Sequence, residues 1–278
     1  MKINEILQIG REALSKSGVE PREARLLLAF AMGINKEELI KYKECTDEQY
    51  EKFIKLIDRR IKKEPYAYIV GIKEFMKLNF KVTPSVLIPR EDTEILVQEV
   101  IDITDTNFNK SEEINILDMC TGSGCIGISL AKYIQNTKVT AVDISLDALQ
   151  IARDNANSNE VSVNFVNSNL FETLDKEKKF DIIVSNPPYI KSNVINGLQD
   201  EVRKEPEIAL DGGEDGLYFY KSIVKVAPGY LNANGFLVFE IGFDQAEEIK
   251  ELMQMNGFKN IKIIKDFGGN NRVVMGNL

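Results

Sequence analysis

Two hydrophobic periods divide the chain. Over the first 63 positions the apolar residues recur at helical spacing, and from Ile114 onward short apolar runs alternate with helical segments. In the first region Ile3, Ile6, Leu7 and Leu14 form one stripe, and Gly18 ahead of Pro21 stops that helix. Pro21-Arg-Glu-Ala opens a second helix through Phe30, closed by Gly33, and a short third segment covers Lys36 to Lys41. Thr46 reads as an N-cap, with Glu48 and Glu51 near the positive helix end. Tyr50, Phe53, Ile54, Ile57 and Ile61 form the buried face of that helix. Helices this short cannot bury their stripes alone, so a small bundle is expected over residues 1–64.

The pattern then changes. Tyr66 to Val82 alternates in strand fashion with Gly71 as punctuation, which predicts a β-hairpin linker over residues 65–86. Leu87-Ile-Pro-Arg leads into a helix from about Asp92 to Ile103, and the polar stretch Thr104 to Glu113 reads as a loop. Strands are expected at Ile114–Met119, Val139–Ile144, Val161–Val166, Asp181–Ser185, Phe236–Ile241, Ile261–Ile264 and Arg272–Met275. Helices between most of them predict an α/β domain over residues 87–278, a doubly wound, mostly parallel seven-stranded sheet. Lys265 to Asn271 is too short for a crossover, so the last two strands should pair antiparallel.

Composition narrows the chemistry. The 278 residues allow two domains or one large one with an appendage, and 44% hydrophobic residues supply ample core. No run approaches the roughly 20 apolar residues of a membrane span, and the charged N-terminus lacks the apolar segment of a signal peptide. Cys45, Cys120 and Cys125 are sparse and without metal spacing, which suits a reducing cytoplasm. The chain has no histidine. A His base, a His-ligated metal and a Ser-His-Asp triad are therefore excluded, and no metal is expected. Residues 1–90 hold 18 Lys/Arg against 13 Asp/Glu, a net +5, which leaves −13 for the rest of a chain totalling −8. So acidic a larger half is poorly suited to a phosphate backbone, and no stable nucleic-acid binding is expected.

Two motifs carry the functional reading. Ile114 to Gly127, INILDMCTGSGCIG, runs from a strand through a glycine turn into a helix, where backbone and helix end can approach a ligand closely. Asp143 ends the next strand, where an acid can accept both hydroxyls of a ribose; the rival role is to cap the helix starting near Leu146. No Lys-Ser/Thr follows the glycines, which argues against a nucleotide triphosphate loop. The D-x-x-T-G-S-G pattern resembles the S-adenosylmethionine loop of class I methyltransferases; dinucleotide binding is the alternative, and it leaves Asn-Pro-Pro-Tyr without a role. The second motif, FDIIVSNPPYI at 180–190, ends an apolar strand in Asn-Pro-Pro-Tyr. Prolines cannot continue a central strand, so the turn is rigid and leaves the Asn186 amide oxygen and the Pro187 carbonyl as acceptors. Two acceptors suit an amine or amide nitrogen: they orient it and withdraw charge as it is methylated. Tyr189 would pack against the planar group. The rival is an ordinary strand-ending turn with a half-buried tyrosine.

With these residues in place, the chain resembles the PrmC/HemK family of protein-(glutamine-N5) methyltransferases. The likeness runs through PYAYIVG at 65–71, LIPREDTEILV at 87–97, LDMCTGSGCIGISLA at 117–131 and AVDIS at 141–145. It continues through SNPPYI at 185–190, EPEIALDGGEDGLYFY at 205–220, FEIGFDQ at 239–245 and DFGGNNRVV at 266–274. The resemblance implies a class I, Rossmann-like methyltransferase whose N-terminal helical domain holds a class I peptide-chain release factor, and which methylates the glutamine of its Gly-Gly-Gln loop. It implies S-adenosylmethionine at Cys120, Thr121, Gly122, Ser123, Gly124, Asp143, Asn169, Leu170 and Asn186, and the substrate amide at Asn186, Pro187, Pro188 and Tyr189. Cys120 stands where the family has glycine, so a less permissive backbone must make the turn. Asn169 stands where it has Asp, keeping an acceptor but losing a charge.

Other residues receive plainer readings. Cys125 is a small buried helix residue, Arg90 and Glu94 order the loop between domains, and Asp211 to Gly216 is a helix-capping turn too short for a calcium loop. The rival functions are a ribosomal-protein glutamine methyltransferase, a nucleic-acid amino-methyltransferase and a non-catalytic cofactor-binding adaptor. Nothing demands a dimer, and a monomer is expected.

Overall fold

The computed structural model describes residues 1–109 and 111–278. Its first helices follow the apolar stripes: α1 (Ile3–Lys16), α2 (Glu23–Met32) and α3 (Asp47–Ile61), with a 3-10 turn at Glu38–Lys41. Gly33 closes α2 in the left-handed region at φ 70°. Thr46 caps α3 in a full capping box, its hydroxyl accepting from Gln49 N at 3.2 Å while Gln49 Oε1 accepts from Thr46 N at 2.9 Å. The buried face of α3 differs from the expected one. Phe53, Leu56, Ile57 and Arg60 are buried, whereas Tyr50, Ile54 and Ile61 are only half-buried.

Tyr66–Val70 is not a strand. It forms a short helix, α4, because Pro65 starts a turn there and Gly71 ends it at φ 77°. The hairpin is confined to β1 (Ile72–Phe75) and β2 (Leu78–Lys81), joined through Met76 and Lys77 at φ 49° and 59°. Helix α5 (Thr93–Asn107) runs four residues past the expected Ile103, since buried Thr104 turns its hydroxyl back to the Ile101 carbonyl. This shortens the expected loop Thr104–Glu113, in which Lys110 lies outside the described residues.

The remaining elements are β3 (Ile114–Met119), α6 (Cys125–Tyr133), β4 (Thr137–Asp143), α7 (Leu146–Ser158), β5 (Val163–Asn167), β6 (Phe180–Ser185) and α8 (Ser192–Ile195). They continue through α9 (Tyr218–Val226), β7 (Leu231–Glu240), α10 (Ala246–Met255), β8 (Lys259–Lys265) and β9 (Asn271–Asn277). The seven strands lie in the order β5-β4-β3-β6-β7-β9-β8. The first five in that order are parallel, and β9 runs antiparallel to both neighbours, as the short connection requires. Alternate strand residues feed two cores: Leu117, Met119, Ile183, Leu237 and Phe239 on one face, Ile116, Ile182, Val184 and Val238 on the other. Phe75 and Phe80 of the hairpin and Leu96, Val97 and Val100 of α5 cover the second face.

By contacts the chain forms two compact units, Met1–Ile72 with Gln199–Lys204, and Lys73–Leu198 with Glu205–Leu278. Buried Arg60 accounts for the first grouping. Its guanidinium meets Glu23 at 2.5 and 3.1 Å and Glu201 at 2.8 Å, tying the distant segment to the helices. Among the described residues no helix is long and apolar enough to cross a membrane.

Candidate active site

Strand order reverses on either side of β3, between β4 and β6, and a crevice opens beyond the strand ends at such a switch point. A cavity of about 190 Å³ sits there. The turns after β3, β4, β5 and β6 each contribute to its wall, so residues far apart in sequence converge.

The turn after β3 is held from below. Asp118 is fully buried, its Oδ2 accepting from Thr121 Oγ1 at 2.5 Å and from Gly127 N at 2.9 Å. Gly127 has no room for a side chain, since an added methyl would lie 2.9 Å from that oxygen. Burial pushes the Asp118 carboxyl up to about 7, against the hydrogen bonds from Thr121 and Gly127. Cys120 makes the turn at φ 63°, the left-handed geometry expected where glycine is replaced. At Gly122, φ 54°, an added methyl would meet nothing within 4 Å, so its backbone faces open cavity.

Asp143 anchors the opposite wall. Its Oδ2 accepts from Gly122 N at 2.8 Å and its Oδ1 from Ser145 N at 2.9 Å. The helix cap is Ser145, whose hydroxyl accepts from Ala148 N at 3.2 Å, so the capping role considered for Asp143 falls to its neighbour. Burial raises the Asp143 carboxyl above its usual range. Asn169 and Leu170 follow β5 in the cavity wall, and Asn169 donates its amide to Glu172 Oε1 at 2.7 Å.

The turn after β6 completes the site. Ser185 pins it to β3 through Met119 O at 2.7 Å. Asn186 and Pro188 line the cavity, and among the described residues the Pro187 carbonyl accepts no hydrogen bond. Asn186 Nδ2 donates to Thr93 Oγ1 at 3.3 Å. Of the residues expected from sequence, Cys120, Thr121, Gly122, Ser123, Asp143, Asn169, Leu170, Asn186 and Pro188 share the cavity wall. Gly124, Pro187 and Tyr189 are not in its lining. Gly124 starts α6 at φ 82° with Ala152 packed against it, Pro187 is buried, and half-buried Tyr189 packs against the core of α9 and β7. Burial pushes the Tyr189 hydroxyl up to about 12.

Sequence reasoning left several residues without a role. Gln245 donates its Nε2 to Tyr189 O and Gly216 O, each at 3.1 Å, and its Oε1 accepts from Gly242 N at 2.9 Å. It thereby bolts the Asn-Pro-Pro-Tyr turn to the loop 211–216. The glycines of that loop exist for close approach. A methyl on Gly212 would lie 2.7 Å from Tyr189 Cα, and one on Gly216 2.5 Å from Tyr189 O. The helix-capping reading does not hold: Asp215 Oδ1 accepts from Leu217 N at 2.9 Å within the loop, and α9 has no side-chain cap. Buried Glu205 pairs with Arg90 and accepts from Ile88 N at 2.9 Å, fixing the cavity's Pro89-Arg90 edge, while Glu94 accepts from Met76 N at 2.6 Å in the hairpin turn. Glu240 is 2% exposed, beside Thr93 and Asn186. Its signal was present in sequence: one acid closing the otherwise apolar run Phe236–Ile241.

Comparison with known proteins agrees with this architecture. Residues 5–71 match the PrmC N-terminal domain and residues 98–214 the methyltransferase small domain. A release factor glutamine methyltransferase of Fusobacterium nucleatum is 42% identical over 95% of this chain and 75% of its own length. Its counterpart in Geobacter sulfurreducens is 40% identical over 99% of this chain and 96% of its own. A Pyrococcus furiosus methyltransferase shares the fold, with TM-score 0.52 and 21% identity over 74% of this chain and 91% of that one. The cavity at the switch point, its glycine turn and its rigid Asn-Pro-Pro-Tyr thus belong with these sequence matches, and the chain is a member of the release factor glutamine methyltransferase family.

Proposed function

We propose that the chain transfers the methyl group of S-adenosylmethionine to the side-chain amide nitrogen of the glutamine in the Gly-Gly-Gln loop of class I peptide-chain release factors. The observation that carries this reading is the rigid turn at the cavity wall, where among the described residues neither Asn186 Oδ1 nor the O of adjacent Pro187, itself outside the lining, accepts a hydrogen bond. The donor set suits the cofactor. Asp143 uses each oxygen for one backbone N–H and keeps lone pairs for ribose hydroxyls. The open face of Gly122 admits close approach of a ligand, Ile144 and Leu170 offer apolar edges to an adenine, and Asn169 Oδ1 can accept from its amine. Bound there, S-adenosylmethionine supplies a methyl already activated on a sulfonium.

The protein's work is then placement. Asn186 Oδ1 and Pro187 O would take the two N–H groups of the substrate amide, turn its nitrogen toward the methyl and favour pyramidalisation; the new N–C bond would replace the S–C bond, with a neutral thioether as leaving group and one amide proton lost to water. The prolines and the Gln245 bolt keep that geometry from relaxing, so the reacting atoms meet without a reorganisation cost. Within the same proposal the helical residues 1–64 hold the release factor, residues 65–86 link, residues 87–278 carry the reaction, and the enzyme works as a monomer in the cytoplasm. The net −13 beyond residue 90 counts against a nucleic-acid substrate.

The test is transfer of labelled methyl to purified release factor, with the loop glutamine replaced by alanine as control and the modified residue mapped by mass. One added methyl on that glutamine, absent from the control and with Asn186→Ala enzyme, is expected. Label on a ribosomal protein or nucleic acid instead would move the substrate to a rival class and leave the cofactor assignment standing.

A further inference from the structure

We propose that Glu240 is a positioning residue for methyl transfer: its buried carboxyl holds the Asn186 side chain with the amide nitrogen turned inward and the carbonyl oxygen turned to the cavity. This rests on reading Asn186 as an acceptor for the substrate amide.

A side-chain amide has two nearly isosteric ends, one a donor and one an acceptor, and only one orientation serves that role. Thr93 cannot choose between them. Its hydroxyl, 3.3 Å from Asn186 Nδ2, can accept from the nitrogen or donate to the oxygen. An ionised carboxylate only accepts. Glu240 closes β7 one residue beyond the Ser185–Phe239 register pair, which places its carboxyl beside Asn186 and Thr93, within reach of the donors on both. The Thr93 hydroxyl is then committed as donor to Glu240, and the end of Asn186 facing the pair must be nitrogen.

The cost of this arrangement points to its purpose. Glu240 is 2% exposed on a strand whose neighbouring inward residues, Val238 and Phe239, are fully apolar. Among the described residues its Oε2 is one of three buried side-chain polar atoms with no hydrogen-bond partner, beside Asp118 Oδ1 and Arg272 Nε, and such an orphan calls for a reason. Burial raises the carboxyl to about 7; Thr93, the Arg272 cation and Asn186 oppose that rise, and Asp92 adds to it. The other charged or titratable groups around it are Asp266 on Arg272, Tyr189, Tyr220 and Cys125. Once protonated, Glu240 can donate and the lock on Asn186 is released, so activity should fall on the acid side of neutrality.

The experiment uses the full chain with Glu240→Gln, which keeps size and removes the acceptor-only character. We expect kcat to fall about 10- to 100-fold, near the lower range for loss of a transition-state hydrogen-bonding group. KM for release factor and cofactor affinity should stay within about twofold, because ground-state binding is untouched. The acid limb of the rate profile should vanish, and Tm at pH 8 should not drop, since a buried charge has been removed. A kcat within twofold of wild type overturns the proposal, as does a loss accompanied by lowered Tm and raised KM. Thr93→Val, read in the same assays, supports or overturns it independently if Glu240→Gln does not fold. Asn186→Ala separates the two levels. If it is fully active, the acceptor reading fails; if it is inactive while Glu240→Gln is normal, only the role of Glu240 fails.

Discussion

Replacing Gly212 by alanine isolates the support that loop 211–216 gives to the Asn-Pro-Pro-Tyr turn. Gly212 does not occupy the left-handed region, so the substitution carries no backbone penalty and acts only through space. The added methyl would lie 2.7 Å from Tyr189 Cα, 2.8 Å from its carbonyl carbon and 2.9 Å from Pro188 O. All three are backbone atoms and cannot rotate away. Carbon pairs rest near 3.5–4.0 Å, so the loop and the turn must separate by about 1 Å. The backbone bonds Gly212 N to Ile190 O, 2.8 Å, and Ile190 N to Leu210 O, 3.0 Å, resist that separation and transmit it to the turn. Overpacking of this kind costs about 1–3 kcal/mol, or a Tm drop of roughly 2–10 °C for a unit this size. A 1 Å displacement at the reacting groups costs on the order of 100-fold in kcat. Gly269→Ala is the matched control: φ is 84° and nothing lies within 4 Å of the added methyl. It should lower stability by about 1–2 kcal/mol and leave kcat alone. Both variants are assayed by thermal unfolding and by methyl transfer to release factor. Wild-type kcat in Gly212→Ala would refute the claim that close packing against Tyr189 sets the catalytic geometry.

Three further outcomes are expected. Arg60→Met should destabilise the helical unit by about 2 kcal/mol, at the low end for a broken buried pair because Glu23 and Glu201 can rehydrate, and should speed tryptic cleavage after Arg203 and Lys204; unchanged cleavage would remove the clasp. Asp118 has a folded pKa near 7, raised by burial from 3.8, so the stability it confers at low pH is lost as pH rises through 7. Denaturant unfolding should therefore show Asp118→Asn gaining on wild type from pH 5 to pH 8, by on the order of a few kcal/mol, whereas a constant difference would place the ionisation elsewhere. Asn169→Asp alone should not improve cofactor affinity, because the new carboxylate would face Glu172, whose Oε1 lies 2.7 Å from Asn169 Nδ2. The double change Asn169→Asp, Glu172→Gln should tighten calorimetric binding relative to that single variant, and equal affinities would dismiss the repulsion.

What the sequence determined by itself was whatever local spacing controls. Helical stripes, the run of apolar strands and the brevity of Lys265–Asn271 settle the element types and the antiparallel end of the sheet, because side-chain period and chain reach are local quantities. The glycine turn, Asp143 and Asn-Pro-Pro-Tyr were legible for the same reason, since each is a short motif with its own backbone requirement. Tyr66–Val70 shows the limit: five apolar-rich residues fit either period, and Pro65 and Gly71 decided for a helix. Tertiary structure alone decided which residues stand behind the site. Thr93, Gly212 and the pair Glu240 and Gln245 come from three separate segments, and no spacing along the chain reveals that they meet at Asn186 and Tyr189. A carboxyl at the end of an apolar strand signals its cost in sequence, but what offsets that cost becomes visible only when β6 and β7 lie side by side.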